Sequence, residues 1–123
     1  MGTRENKVER YLKQRVEEHG GISRKWVSPG HDGVPDQIVW MPWLGGMNTW
    51  LVEVKTEDGK YRKSQVREHF RLRNAGLNVR TVFGERGVDL FINEAVTLWR
   101  PPEWPGVYEA TKCWGKQWEE FQR

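Results

Sequence analysis

The stretch GVPDQIVWMPWLGGMNTWLVEVK, Gly33 to Lys55, decides how this chain folds. Its run from Asp36 to Met41 is rich in β-branched and aromatic residues and reads as a strand. Pro42-Trp43-Leu44-Gly45-Gly46 reads as a reversal, and Thr49 to Lys55 as the returning strand of a hairpin. Side chains alternate between the faces of a strand. Trp50, Val52 and Val54 therefore share one face, while Leu51, Glu53 and Lys55 share the other. The second face carries charge where a helix packed on the sheet would call for apolar residues. Asp36, at the start of the first strand, returns to the end of the hairpin at which Glu53 and Lys55 arrive.

Working outward, Val8, Tyr11, Leu12 and Val16 recur at helical spacing between Arg4 and His19, and Gly20-Gly21 supplies a stop. Glu9 lies at the margin of that stripe, with Glu5 one turn earlier on the same side. Ile22 to Val27 reads as extended, and Ser28-Pro29-Gly30-His31-Asp32-Gly33 as a loop. Downstream, Ser64 is the expected N-cap of a second helix running to Ala75, with Gly76 as its stop. Asn78 to Phe83 reads as a further strand and Val88 to Ile92 as a short helix. The predicted order is helix, three strands, helix, strand. Residues 1–92 form the expected domain. Residues 93–123, with Trp99, Trp104, Trp114 and Trp118 among Pro101, Pro102 and Pro105, form a Trp-rich accessory segment that packs on the domain or on a dimer partner.

The chain has 123 residues, a length for one domain and so for one site per chain. Charged residues at 30% and hydrophobic types at 37%, with eight Trp, exclude a disordered tail. No apolar run is long enough to cross a bilayer, and the polar start lacks a signal peptide core, so no membrane association is expected. Cys113 is the single cysteine, which suits a reducing cytoplasm, bacterial or that of a phage-infected host cell. The net charge of +3 and pI near 9.2 permit a polyanionic partner.

Asp36, Glu53 and Lys55 make a set with a specific chemistry. Two carboxylates with the backbone carbonyl of Val54 between them offer hard oxygen donors of the kind Mg²⁺ or Mn²⁺ takes. Lys55 suits the steering of an attacking water and the offsetting of charge that builds at phosphorus. A lone Glu-Val-Lys is usually a solvated strand face. Three features weigh against that here: the rigid Gly33-Val34-Pro35-Asp36 turn, the hairpin joining both carboxylates, and the cost of burying such a face under a helix.

Glu9, Gly33-Val34-Pro35-Asp36, Glu53-Val54-Lys55 and Gln65 together resemble the VRR-NUC branch of the PD-(D/E)xK nuclease superfamily, in the stand-alone form found in phages and bacteria. The resemblance spans about Asn6 to Phe83 and implies an α/β, restriction-endonuclease-like αβββαβ core with a mixed sheet flanked by helices. It implies a Mg²⁺ or Mn²⁺ site from Asp36, Glu53 and the Val54 carbonyl with Glu9 assisting, Lys55 as catalytic, and Gln65 orienting the site or the DNA backbone. The family often has Pro shortly before the Gln, where this chain has Arg62-Lys63-Ser64.

Lys60, Arg62, Lys63, Arg67 and Arg71, with Asn74, are expected to form a basic ridge beside the site that holds phosphates of branched or double-stranded DNA. No base-reading motif is present, so recognition should follow DNA shape. His19 and His69 read as solvent or turn residues. His31, in the loop before Asp36, is the histidine expected near the scissile phosphate. Stand-alone members of the family resemble Holliday-junction resolvases, which work as two-fold dimers because a four-way junction offers two symmetric cleavage points; with one site per chain, the resemblance implies a homodimeric Holliday-junction resolvase. Flap or nicking cleavage by the same site, and a catalytically silent DNA-binding module, are the competing expectations.

Overall fold

Val8, Leu12 and Val16 form one buried stripe along α1 (Arg4–Glu18), and a four-stranded sheet lies beneath it. The computed structural model describes residues 4–43 and 46–98. Its further elements are β1 (Ile22–Lys25), β2 (Gln37–Trp43), β3 (Gly46–Lys55), α2 (Lys63–Asn74), β4 (Val79–Phe83) and α3 (Gly84–Leu98). The strands lie in the order β1-β2-β3-β4. The pairs β1–β2 and β2–β3 are antiparallel, and β3–β4 is parallel. A parallel neighbour needs a crossover, which α2 supplies. The sheet is thus mixed, and the αβββαβ order expected from the sequence is present. The β2–β3 pairing that runs from Met41↔Asn48 to Gln37↔Val52 puts Asp36, just before β2, at the same sheet end as Glu53.

The sheet has two unlike faces. Val39, Met41, Trp50, Val52, Val54 and Val82 meet α1 and α3 in one apolar core. Leu51, Glu53 and Lys55 point to the other side, where α2 buries Gln65, Glu68 and His69. The alternation expected for β3 is therefore present, and its charged face is indeed covered by a helix.

Three expectations need correction. The short helix expected over Val88 to Ile92 is the 15-residue α3, which starts at Gly84 and crosses the boundary drawn at 92/93. Val88, Phe91, Ile92 and Ala95 are all buried, and this 3.6-residue stripe carries the helix past Ile92 to Leu98. The N-cap of α2 is Arg62 and not Ser64. The Gln65 side chain accepts a hydrogen bond from the Arg62 backbone N–H at 2.9 Å, which moves the helix start back toward Arg62. The third concerns His69, treated with the site. The Trp-rich residues 99–123, and Cys113 among them, lie outside the described residues, as do Leu44 and Gly45 of the reversal. No helix among the described residues is long and apolar enough to cross a membrane.

Trp50 is the largest fully buried side chain among the described residues. Its ring meets Phe91 edge to face at 5.4 Å, and the Arg80 guanidinium lies 5.1 Å from its centroid. Its Nε1 has no hydrogen-bond partner among the described residues, so the indole contributes shape rather than a polar contact. Trp50→Phe is accordingly expected to cost no more than about 1.5 kcal/mol in urea unfolding. A larger loss would mean that the indole nitrogen has a partner.

Candidate active site

Asp36 closes the loop before β2 and is pinned from both sides. Its backbone carbonyl accepts from Trp26 N–H at 2.7 Å, and its carboxylate Oδ2 accepts from Val54 N–H at 3.0 Å. The second bond ties the carboxylate to the residue between Glu53 and Lys55. Gly33, three residues earlier, has φ +88°, and a Cβ there would lie 2.3 Å from the Ser64 carbonyl oxygen. The loop thus rests directly on the first turn of α2, in a backbone conformation that favours glycine.

Gln65 is the hub of the buried side. Its Nε2 donates to Glu53 Oε2 at 2.7 Å, and its Oε1 accepts from Lys55 Nζ at 2.8 Å. Lys55 Nζ also lies 3.5 Å from Glu53 Oε2. The other Glu53 oxygen, Oε1, is buried with no hydrogen-bond partner among the described residues. The Glu53 carboxyl, 2% exposed, is pushed up to about 7, first by burial and then by the negative charge of Asp36, against the opposing pull of Lys55.

On the opposite flank Glu5, Glu9 and Asp36 offer carboxylate oxygens that all lie within 4.8 Å of one another. Burial, and then the charges of Asp36 and Glu5, raise the Glu9 carboxyl, while Lys25 and a hydrogen bond from Gln37 oppose the rise. Asp36 therefore stands between a half-buried helical carboxylate and a fully buried strand carboxylate. Both Glu5 and Glu9 reach it, so the helical contribution belongs to a pair of residues one turn apart.

The donor set fits a divalent cation. A buried carboxylate oxygen without a partner among the described residues, on a carboxyl raised by a second negative charge, would be relieved by a cation that Asp36 and Glu53 would hold, and all the donors are hard oxygens. Glu53 and Asp36 carry this fit more than the Glu5–Glu9–Asp36 group, because exposed acidic side chains cluster commonly without an ion.

His69 is 1% exposed, contrary to its reading as a solvent or turn residue. Its Nε2 lies 3.9 Å from Glu53 Oε1, and neither ring nitrogen has a hydrogen-bond partner among the described residues. Burial, then the charges of Arg73 and Lys55, depress its pKa. The signal was in the sequence: His69 follows Gln65 by four residues and so shares its helix face. Glu68, on the same side, was missed as well. It bonds His31 Nε2 at 2.8 Å and Arg71 Nη1 at 3.2 Å. His31 is therefore held by α2, and Arg71 is paired rather than free. Lys60, Arg62, Lys63 and Arg67 are exposed along the approach to α2 and its outer face.

A pH dependence follows. The folded state holds a proton on Glu53 that the unfolded chain has released between its ordinary value near 4.5 and about 7. That contribution to metal-free stability is present at low pH and is lost as pH rises through about 7, with a slope of up to about 1.4 kcal/mol per pH unit. Glu53→Gln should remove this slope from urea unfolding between pH 5 and 8. The depressed His69 gives a slope of the opposite sign, present in both proteins, so the difference between them isolates Glu53. Identical pH profiles would refute a raised Glu53.

The comparisons with known proteins agree with this fold. The chain is 42% identical over 69 residues to a protein named "Putative nuclease p44" from Acyrthosiphon pisum secondary endosymbiont phage 1, an alignment that covers 56% of this chain and 71% of that one. It resembles a solved structure described as a VRR_NUC domain with a TM-score of 0.67 and 38% identity, covering 75% of this chain and 97% of the other. No family model matches.

Proposed function

The chain belongs to the VRR-NUC family of nucleases, and from that premise we propose that it is a Mg²⁺- or Mn²⁺-dependent DNA endonuclease acting as a homodimeric Holliday-junction resolvase. The observation that carries the catalytic part is the buried Glu53, with one oxygen fixed by Gln65, the other unpartnered among the described residues, and its carboxyl raised by burial and by the charge of Asp36.

In this reading Asp36, Glu53 and the Val54 carbonyl hold the ion, with Glu9 assisting from α1. When bound there, such an ion would supply Lewis acidity toward a phosphate oxygen and the attacking water. Lys55, held by Gln65 Oε1 at 2.8 Å, keeps its ammonium beside Glu53 and offsets negative charge growing on the phosphorus. Gln65 is the positioning residue, since its amide fixes the Glu53 and Lys55 side chains at once. Lys60, Arg62, Lys63 and Arg67 hold backbone phosphates, with Arg71 beside them through its pairing to Glu68. The dimer rests on symmetry: two copies of a single-site chain match the two symmetric cuts that resolve a four-way junction.

The test is incubation of the full chain in Mg²⁺ with a labelled four-way junction, a flap and a linear duplex, alongside light scattering. Paired symmetric cuts in the junction by a dimer are expected. Cleavage of the flap alone, or a monomer at high micromolar concentration, would replace the resolvase reading with flap or nicking cleavage. No cleavage of any substrate would point to a silent DNA-binding module.

A further inference from the structure

Helix α2 carries exposed apolar side chains on its outer face. The side it turns to the sheet carries Gln65, Glu68 and His69, all buried, whereas Phe70 is 65% and Val66 55% exposed. A helix packed on a sheet normally turns its apolar residues inward. The inversion follows from the charged face of β3, which polar side chains of α2 must satisfy, and it leaves an apolar strip facing solvent. Tyr61, 43% exposed, stands edge to face with the His69 ring at 5.9 Å and lies beside that strip. Tyr61, Val66, His69, Phe70 and Arg73 line a cleft of about 190 Å³.

We propose that this cleft receives an unpaired nucleobase of the DNA substrate, stacked on Phe70 and Tyr61. The inference rests on the nuclease reading above and names the feature of the DNA that is recognised.

Charge selects the occupant. At 3.6 residues per turn, Lys63, Arg67, Arg73 and Asn74 fall within about 60° of Phe70 on the helix surface. All four are exposed, and the one acidic residue of α2, Glu68, is buried on the opposite side. Docking this face against a second copy of itself would set these cations against each other. A polyanion meets them favourably, and aromatic rings interleaved with cations suit a nucleic acid whose bases are exposed. The position is right for the reaction as well. His69, which lines the cleft, is the residue 3.9 Å from Glu53 Oε1, and Lys55 Nζ lies 6.0 Å from the Tyr61 ring centroid. A base in the cleft would thus sit next to the strand entering the site. Paired bases inside a regular duplex are stacked and cannot enter, so the cleft takes its base from a branch point, gap or bulge.

The experiment reads binding without cleavage. Fluorescence anisotropy in EDTA at fixed ionic strength compares a duplex carrying one unpaired nucleotide with the same duplex carrying an abasic unit there. The full chain is expected to bind the base-bearing DNA about tenfold more tightly, the scale of one stacked base. Phe70→Ala and Phe70→Leu are both expected to erase the difference, and Phe70→Trp to retain it. The Leu variant keeps an apolar side chain without a ring face, so discrimination that survives in it overturns stacking. Equal binding of the two DNAs by the unaltered chain overturns the proposal outright. So does a change from dimer to monomer in Phe70→Ala by light scattering, which would assign the strip to a second copy. Because no cut is scored, failure of the nuclease reading leaves this result interpretable, and failure of base discrimination leaves the nuclease reading standing.

Discussion

Asp36→Asn is expected to lower divalent-cation-dependent cleavage by about a thousandfold or more while leaving the fold intact. Asn keeps an oxygen that can accept the Val54 N–H, now held at 3.0 Å, so the loop retains its anchor. What disappears is the charge. The site then lacks the carboxylate that stands between Glu9 and Glu53, and an oxygen donor of an amide is a poor substitute for an anionic ligand of Mg²⁺. A thousandfold corresponds to about 4 kcal/mol of lost transition-state stabilisation, a scale that removal of a metal ligand reaches. The same substitution should act oppositely on the metal-free protein. Negative charge on Asp36 is the second cause of the raised Glu53 carboxyl. Its removal lets that carboxyl fall toward its ordinary range, so metal-free stability above pH 7 should hold steady or rise. Single-turnover cleavage of a labelled junction and urea unfolding at pH 8 are the two measurements. Wild-type cleavage in the variant would sink the assignment of Asp36, and a large drop in stability would show that it acts as a structural residue.

The second large effect is on folding. Gly33→Ala is expected to cost about 2–5 kcal/mol and to lower activity through misplacement rather than lost chemistry. The cost has two sources. A side chain at φ +88° is strained, by about 1–2 kcal/mol in the left-handed region. The added Cβ would also lie 2.3 Å from the Ser64 carbonyl oxygen and 2.6 Å from its carbon, and backbone in the first turn of a helix yields less readily than the end of a side chain. Relief requires the loop and α2 to part. Since the loop carries Asp36 and α2 carries Gln65, the two halves of the site would separate together. Gly30, also at positive φ but with nothing among the described residues within 4 Å of its would-be Cβ, is the control: Gly30→Ala meets only the strain. Comparable losses at both positions, measured by urea unfolding, would show that contact with α2 contributes nothing.

Much of this was legible from residue order. The 2-residue period of β3 and the turn formers before it predicted which side chains share a face, and Trp50, Val52 and Val54 do lie in the core while Glu53 and Lys55 lie under α2. The α1 stripe was equally clear, as Val8, Leu12 and Val16 are buried where the spacing put them. Where the reading fell short, a local signal competed with a tertiary one. The helix expected over Val88 to Ile92 is extended because Phe91, Ile92 and Ala95 share one buried face. Ser64 looks like a cap until the Gln65 side chain takes the Arg62 N–H.

Residue order by itself thus determined the strands, the hairpin, the inward face of α1 and the identity of the polar side chains at one end of the sheet, because backbone periodicity and turn chemistry act over a few residues. Only the tertiary structure decided what those side chains experience. Glu53 is driven up to about 7 by burial beneath α2 and by the approach of Asp36, two elements that lie 12 or 17 positions away in the chain when counted to Gln65 and Asp36. His69 becomes a buried neighbour of Glu53, and Phe70 is turned outward, for the same reason: α2 had to present its polar side to a charged strand face. Desolvation and charge coupling depend on which surfaces meet, and that is not written in the spacing of any one element.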